Sequence, residues 1–76
     1  MIIINELLAE ASGKPLPDIH MDTDLNTELG LDSLDTVDVV NRLEVELGIK
    51  VPNRRIADLR TVGDIHRLVK ELLRNV

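Results

Sequence analysis

The sequence predicts an all-α domain, a small antiparallel bundle of three main helices and one short helix. Apolar residues recur with helical spacing in three segments, near residues 4–11, 34–47 and 62–73. Glycine follows each of the first two segments. No linker or internal repeat divides the 76 residues, which suit one small domain covering residues 1–76.

The first predicted helix spans about residues 2–12. Gly13 ends it, and Pro15 prevents continuation because proline lacks the N–H that a helix needs. Its apolar face consists of Ile4, Leu7, Leu8 and Ala11. Residues 13–32 then form a long connection, with one helical turn expected near residues 23–28. A loop of this length in a small domain is usually functional.

The second helix is the clearest, beginning near Ser33 and ending at Gly48. Asp32 or Ser33 is the expected N-cap, and the charge of Asp35 suits the positive end of the helix dipole. The residues expected to form its buried stripe are Leu34, Val37, Val40, Leu43 and Leu47.

Each residue of a helix is rotated by about 100° from the one before it. This rotation places Val39 and Val45 outside the stripe, among charged residues. Exposed valines are common, so these two are either incidental or contact points for a docking protein. We favour contact, because this face leads directly from Ser33.

The rest of the chain is predicted to hold two more helices. Residues 49–52 are extended, and a short helix covers about residues 53–59. Thr61 and Asp64 have the spacing of a capping box, which marks the start of the last helix. The core face of that helix consists of Val62, Ile65, Leu68, Val69, Leu72 and Leu73.

Composition excludes several classes of function. The chain has no aromatic residue, and therefore no platform on which nucleic-acid bases could stack. Residues 1–38 carry nine acidic side chains and one basic one, which repels nucleic acid and attracts basic partners. The absence of cysteine excludes thiolate metal sites. Without a signal-peptide pattern or a membrane-length apolar stretch, we expect a cytoplasmic monomer that does not insert into membranes.

The run ELGLDSLD, residues 28–35, turns at Gly30 and delivers the Ser33 hydroxyl to the start of the second helix. A nucleophilic serine needs a nearby base, but His20 and His66 are distant in sequence, and no Gly-x-Ser-x-Gly elbow is present. We therefore expect no enzymatic activity and no catalytic residue. A plain helix cap explains the hydroxyl, but it leaves the acidic flanks and the long loop unexplained.

Asp22, Asp24 and Asn26 match the first three side-chain ligands of a calcium-binding loop. The match fails at Thr27, where glycine is required, and at Ser33, where a bidentate glutamate is required. We expect an ordinary solvated acidic loop and no metal site.

The run from Glu28 to Val40 resembles the modification site of acyl carrier proteins, and residues 29–73 resemble that family nearly throughout. The resemblance implies that a phosphopantetheinyl transferase attaches 4′-phosphopantetheine from coenzyme A to Ser33. The thiol of this arm then carries acyl groups as thioesters. The resemblance also implies an acyl-carrier-like bundle whose aliphatic interior could shelter a bound chain.

Several residues match family positions that meet partner enzymes, such as acyltransferases and synthases with basic docking patches. The acidic ones are Asp32, Asp35, Asp38 and Glu44. The apolar ones are Leu34 and Val37, although Val37 also suits the core.

The chain departs from the family after Pro52. Family members typically have an acidic run at this position, whereas this chain has Asn53, Arg54 and Arg55. Cations in the first turn of a helix oppose its dipole, and a broken local rule can signal function. We expect a dedicated partner with an acidic patch opposite Arg54 and Arg55, and hence a specialised carrier. The carrier would present its acyl groups to fatty-acid, polyketide or related biosynthetic enzymes. The alternatives are a peptidyl or aminoacyl carrier and an unmodified helical interaction module.

Overall fold

Four α-helices and one 3₁₀ turn make up the fold of the computed structural model, which describes residues 2–74. Helix α1 spans Ile2–Ser12, α2 spans Ser33–Leu47, α3 spans Asn53–Ile56 and α4 spans Val62–Arg74. The predicted all-α bundle is confirmed. None of the helices described between residues 2 and 74 has the length and apolar character needed to cross a membrane.

The core is aliphatic and draws on both the helices and the loops. The buried residues of α1, α2 and α4 include Ile4, Leu7, Leu8, Val39, Val40, Leu43, Val62, Ile65, Leu68 and Val69. The loops and α3 add Ile19, Leu25, Leu29, Leu31, Ile49, Val51 and Ile56. Because six of these buried side chains come from the loops, the loops are packed parts of the fold.

Helix α1 has the predicted bounds. Gly13 has a φ of 74° and donates its N–H to the carbonyl of Ala9, which ends the helix in the left-handed conformation that glycine favours. Ala11 was predicted to face the core, but it is exposed. That prediction is wrong because the buried face of α1 ends with Leu8.

The buried stripe of α2 is rotated from its predicted position. Val39 was predicted to lie outside the buried stripe, but it is only 2% exposed, and Leu34 was predicted to be buried, but it is 76% exposed; both predictions are wrong. Thr36 is part of the buried side, and its hydroxyl is satisfied there because it donates to the carbonyl of Asp32 at 3.0 Å. Once Thr36 is part of the stripe, helical spacing turns Val39 inward and Leu34 outward. Val45 is exposed as predicted, at 83%.

The long connection is anchored to the segment before α4, which the sequence did not predict. The N–H of Leu25 donates to the carbonyl of Arg60, and the N–H of Val62 donates to the carbonyl of Thr23. An antiparallel bridge joins Asp24 to Thr61 between them. These bonds hold the loop that leads to Ser33.

Two local elements also differ from the sequence prediction. A 3₁₀ turn at Leu16–Asp18 was not predicted, and the region of residues 23–28 contains hydrogen-bonded turns but no assigned helix. Helix α3 ends at Ile56 rather than near residue 59. It is therefore a single turn, too short for the macrodipole argument applied to Arg54 and Arg55. The capping box at the start of α4 is confirmed. The side chain of Thr61 accepts from the N–H of Asp64, and the side chain of Asp64 accepts from the N–H of Thr61.

Candidate functional site

Ser33 is the first residue of α2, and its side chain is exposed. Asp32 is the N-cap, with its Oδ1 accepting from the N–H of Asp35 at 2.9 Å. Asp35 Oδ2 in turn accepts from the N–H of Asp32 at 3.2 Å, which completes a capping box around the serine. The hydroxyl therefore lies at a well-defined helix terminus.

The loop before Ser33 is fixed by buried leucines and one amide side chain. Leu25, Leu29 and Leu31 are all buried. Gly30 makes the reversal between the last two at a φ of 69°, where a residue with a Cβ would be strained. Asn26 Nδ2 donates to the carbonyl of Leu31 at 3.2 Å. The loop is thus clamped immediately before the helix begins.

The start of α2 suits a phosphodiester. Among residues 2–74, no hydrogen bond involves the Ser33 hydroxyl or the backbone N–H groups of Ser33 and Leu34. The first N–H groups of a helix lack intrahelical acceptors and carry partial positive charge. An anion bonded to Ser33 Oγ would lie beside these donors. The residues present therefore fit a phosphate ester of this serine.

A groove of about 570 Å³ opens beside Ser33. Leu25, Leu31, Val37 and Ile56 contribute apolar surface, while polar residues such as Asn53 and Arg60 also line it. A volume in this range is typical of sites that bind small molecules. The groove could therefore receive part of a group attached to the serine.

The exposed start of α2 carries several of the predicted partner residues. Asp32, Asp35 and Asp38 are exposed together with Leu34, and Val37 is half-buried. An exposed leucine among three carboxylates combines charge with an apolar contact. Val39 does not belong to this surface, because it is buried in the core.

The remaining predicted residues lie elsewhere. Glu44 is half-buried, and its Oε2 accepts from the N–H of Val51 at 2.7 Å. Arg54 is exposed on α3. Arg55 Nη1 lies 2.9 Å from Glu71 Oε2, and the two side chains are 40% and 51% exposed. Glu44 and Arg55 therefore already have partners within the molecule.

The acidic loop uses Asp24 to order its own backbone. Asp24 Oδ1 accepts from the N–H groups of Asn26 and Thr27, at 2.9 and 2.8 Å. The bond from Thr27, followed by that from Asn26, lowers the pKa of Asp24 below its usual value. Within the described residues 2–74, no group of three or more His, Cys, Asp or Glu side chains is placed to hold a metal ion.

The two histidines are not placed to activate the serine within the part of the chain that the structure describes. His66 Nε2 lies 2.8 Å from Asn5 Oδ1, and burial lowers the pKa of His66. No hydrogen bond joins either His66 or His20 to Ser33 among these residues. Neither histidine is therefore positioned to act as a base on the Ser33 hydroxyl.

Sequence reasoning missed two residues that build the site. Asn26 was interpreted only as part of an imperfect calcium loop, and Thr36 was given no role. Their bonds to the carbonyls of Leu31 and Asp32 depend on how the loop meets α2. The spacing of Thr36, four residues after the N-cap, was the one available signal, since threonine can bond to the carbonyl four residues earlier.

Comparison with known proteins places this geometry in a family. Residues 3–69 match the family model described as a phosphopantetheine attachment site. An acyl carrier protein of Saccharopolyspora erythraea is 39% identical over 70 residues, covering 92% of this chain and 74% of the relative. One from Rickettsia bellii is 32% identical over 66 residues, covering 87% and 77%.

Solved structures agree with this assignment. The acyl carrier protein of Thermotoga maritima superposes with a TM-score of 0.84 at 29% identity, covering 96% of this chain and 85% of that one. A putative acyl carrier protein of Mycobacterium tuberculosis gives 0.82 at 28% identity, covering 91% and 92%. These relatives do not favour the peptidyl carrier or the unmodified module. The chain belongs to the acyl carrier protein family and carries acyl groups on a 4′-phosphopantetheine arm.

Proposed function

We propose that Ser33 is the residue that bears the 4′-phosphopantetheine arm and that the protein is a carrier without catalytic activity of its own. The observation that carries this proposal is the exposed Ser33 side chain at the first position of α2, beside backbone N–H groups that can bind a phosphate. A phosphopantetheinyl transferase would form the bond from Ser33 Oγ to phosphorus. The hydroxyl proton would leave, and the bond from that phosphorus to the nucleotide part of coenzyme A would break.

Mass spectrometry of the intact protein tests the attachment residue. The chain is coexpressed with a broad-specificity phosphopantetheinyl transferase, and its mass is expected to rise by one phosphopantetheinyl group. Ser33→Ala should abolish the increase. Ser12→Ala is the matched control, because Ser12 lies at the end of α1 and outside the groove beside Ser33. An unchanged mass for the parent chain, or modification of Ser33→Ala, would contradict the proposal.

We propose that Leu34, Asp35 and Asp38 form the surface that acyl-handling enzymes and the transferase contact. Exposed carboxylates attract basic patches and raise association rates, while an exposed leucine supplies apolar area. Asp38→Asn should weaken binding mainly through the association rate and reduce its salt dependence. Glu46→Gln, also exposed on α2 but near its other end, is the charge-matched control. Equal effects of the two variants would mean that only net charge matters.

We also propose a specialised pathway role, because Arg54 and Arg55 stand where the resemblance leads us to expect acids. Arg55 is already paired with Glu71, so Arg54 is the better candidate to contact an acidic patch on a partner. Arg54→Glu should weaken binding to an acyl-handling enzyme encoded beside this gene, measured by titration calorimetry. Lys50→Glu, exposed in the preceding connector, is the control. Unchanged binding for Arg54→Glu would remove the basis for a dedicated partner at α3.

A further inference from the structure

A second groove, of about 550 Å³, is formed mainly by α4, with contributions from α1 and the long loop. Among residues 2–74 it shares no lining residue with the groove beside Ser33. Ile4, Val69 and Leu73 supply apolar lining, and Met21 enters from the loop. Met21 is 53% exposed, so its apolar side chain is accessible at the edge of the groove.

Cations follow the length of this groove. Arg67, Lys70 and Arg74 all line it and lie three and four residues apart on α4, a spacing that keeps them on one side of the helix. The row spans about 10 Å at 1.5 Å per residue. Arg67 also pairs with Asp64. In the described chain, residues 2–74, no ion pair involves Lys70 or Arg74.

We propose that this groove, lined by Met21, Val69 and Leu73 and bordered by Lys70 and Arg74, docks an acidic amphipathic helix of a partner protein. An apolar stripe on that helix would cover the exposed methionine. Carboxylates beside the stripe, repeating every three or four residues, would face the cations of α4. The carrier would then have two recognition surfaces of opposite charge, one acidic around Ser33 and one basic on α4.

The spacing of the cations favours a helix over other occupants. A fatty acid has a single carboxylate, so it would satisfy only one position in a row of about 10 Å. A membrane surface is broad, whereas this site is a groove lined by residues of α1, α4 and the long loop. A second copy of this chain offers the acidic face of α2, which makes self-association an outcome to be tested.

The experiment uses the full chain, labelled with ¹⁵N, and two synthetic probes. The first is a peptide of about 18 residues, long enough to be helical, with a leucine stripe flanked by glutamates. The second is the same peptide with lysine in place of every glutamate. The acidic peptide should shift the amide signals of Met21, Val69 and Leu73, whereas the lysine peptide should leave them unchanged. Since the whole chain carries a net charge of −5, attraction of an acidic peptide requires a local basic surface.

Two variants separate the cations from the apolar lining. Lys70→Glu combined with Arg74→Glu should weaken binding on the order of tenfold, through loss of the charge pairs. Lys50→Glu combined with Arg54→Glu makes the same change in net charge away from the groove and should bind like the parent chain. Met21→Gln should also weaken binding, because it replaces the exposed apolar side chain with a polar one. Thermal unfolding checks that each variant is folded.

Ser33→Ala keeps this test independent of the attachment proposal, because its peptide affinity should equal that of the parent chain. The docking proposal is overturned if the acidic peptide fails to bind, shifts only residues near Ser33, or binds the α4 double variant unchanged. It is also overturned if dodecanoate or phosphatidylglycerol vesicles bind the groove while the peptide does not. Sedimentation equilibrium showing a dimer that the α4 double variant abolishes would assign the groove to a second copy instead.

Discussion

The side chain of Glu44 binds the backbone of Val51 across the turn that follows α2, with 2.7 Å between Oε2 and the amide nitrogen. Val51 is buried, so its N–H has little access to water as an alternative acceptor. The bond fixes the connector that leads to α3 and to the groove beside Ser33. Glu44 was predicted as a partner contact from resemblance, and the structure gives it a structural role as well.

Replacing Glu44 should separate these two roles. Glu44→Ala leaves the buried N–H of Val51 without its acceptor and should lower the free energy of unfolding by about 1–3 kcal/mol. Glu44→Gln keeps an acceptor oxygen and should lie closer to the parent chain in urea unfolding. If Glu44→Gln weakens enzyme binding without loss of stability, the charge also serves recognition. If Glu44→Ala unfolds like the parent chain, the structural role is excluded.

Asp32 has a comparable double role at the other end of α2. Asp32→Ala removes the N-cap from Asp35 and should cost about 0.5–2 kcal/mol in unfolding free energy. Asp32→Asn retains a capping oxygen, so its stability should stay near that of the parent chain while one charge beside Ser33 is lost. Steady-state kinetics of the transferase with Asp32→Asn as substrate then measure the effect of this charge on modification, separately from the effect of the cap. An asparagine variant as unstable as the alanine one would show that the charge, not the cap, stabilises the helix.

Gly63 should not tolerate alanine, although it lies inside a helix. Its N–H donates to the carbonyl of Met21 at 2.7 Å, and a Cβ on Gly63 would lie 2.9 Å from that same oxygen. Alanine in place of helical glycine usually stabilises by about 1 kcal/mol. Here we expect a net loss of about 1–3 kcal/mol because the contact must open. Urea unfolding measures the sign, and a stabilised Gly63→Ala would show that the loop moves away without cost.

His66 should make stability depend on pH near neutrality. Burial lowers its pKa below 6.5 in the folded state, so the unfolded chain takes up the proton first as pH falls. The contribution of His66 is therefore complete above pH 6.5 and is lost as pH falls through the folded pKa. His66→Gln, which keeps a polar side chain but does not titrate, should remove this loss in thermal unfolding between pH 7 and about pH 5. A profile identical to that of the parent chain would exclude His66 as the cause.

A second loss of stability should follow in acid. The bond from the N–H of Arg60 is the main cause that lowers the pKa of Asp64, and the bond from Thr27 plays that part for Asp24. Both carboxylates therefore stabilise the fold above pH 3.8, and this stability is lost as pH falls through their lowered pKa values. Asp64→Asn should reduce the loss of stability in acid. It should leave in place the loss below pH 6.5 that is due to His66. Asp18→Asn, exposed in the 3₁₀ turn, is the control.

Local sequence patterns predicted most of the helical framework. Helix α1 has the expected bounds, α2 runs from the predicted serine to the residue before Gly48, and α4 begins at the predicted capping box. Each of these signals acts within one or two helical turns, through hydrogen bonds between near neighbours or through the conformational freedom of glycine. For the same reason, the exposed position of Ser33 at a helix start was predictable from the residues around it.

Local sequence patterns thus predicted the three main helices, the family resemblance and the serine that we propose as the attachment point. Tertiary packing settled which side of α2 is buried, where Thr36 and Val39 take the place expected of Leu34. It also decided how the long loop pairs with the segment before α4, and that Glu44 binds Val51. The Glu44–Val51 bond spans only seven residues, but the other outcomes depend on contacts between distant segments. The hydrophobic pattern within one segment does not contain the energies of such contacts. The basic groove on α4 is of the same kind, because its apolar lining comes from three separate parts of the chain.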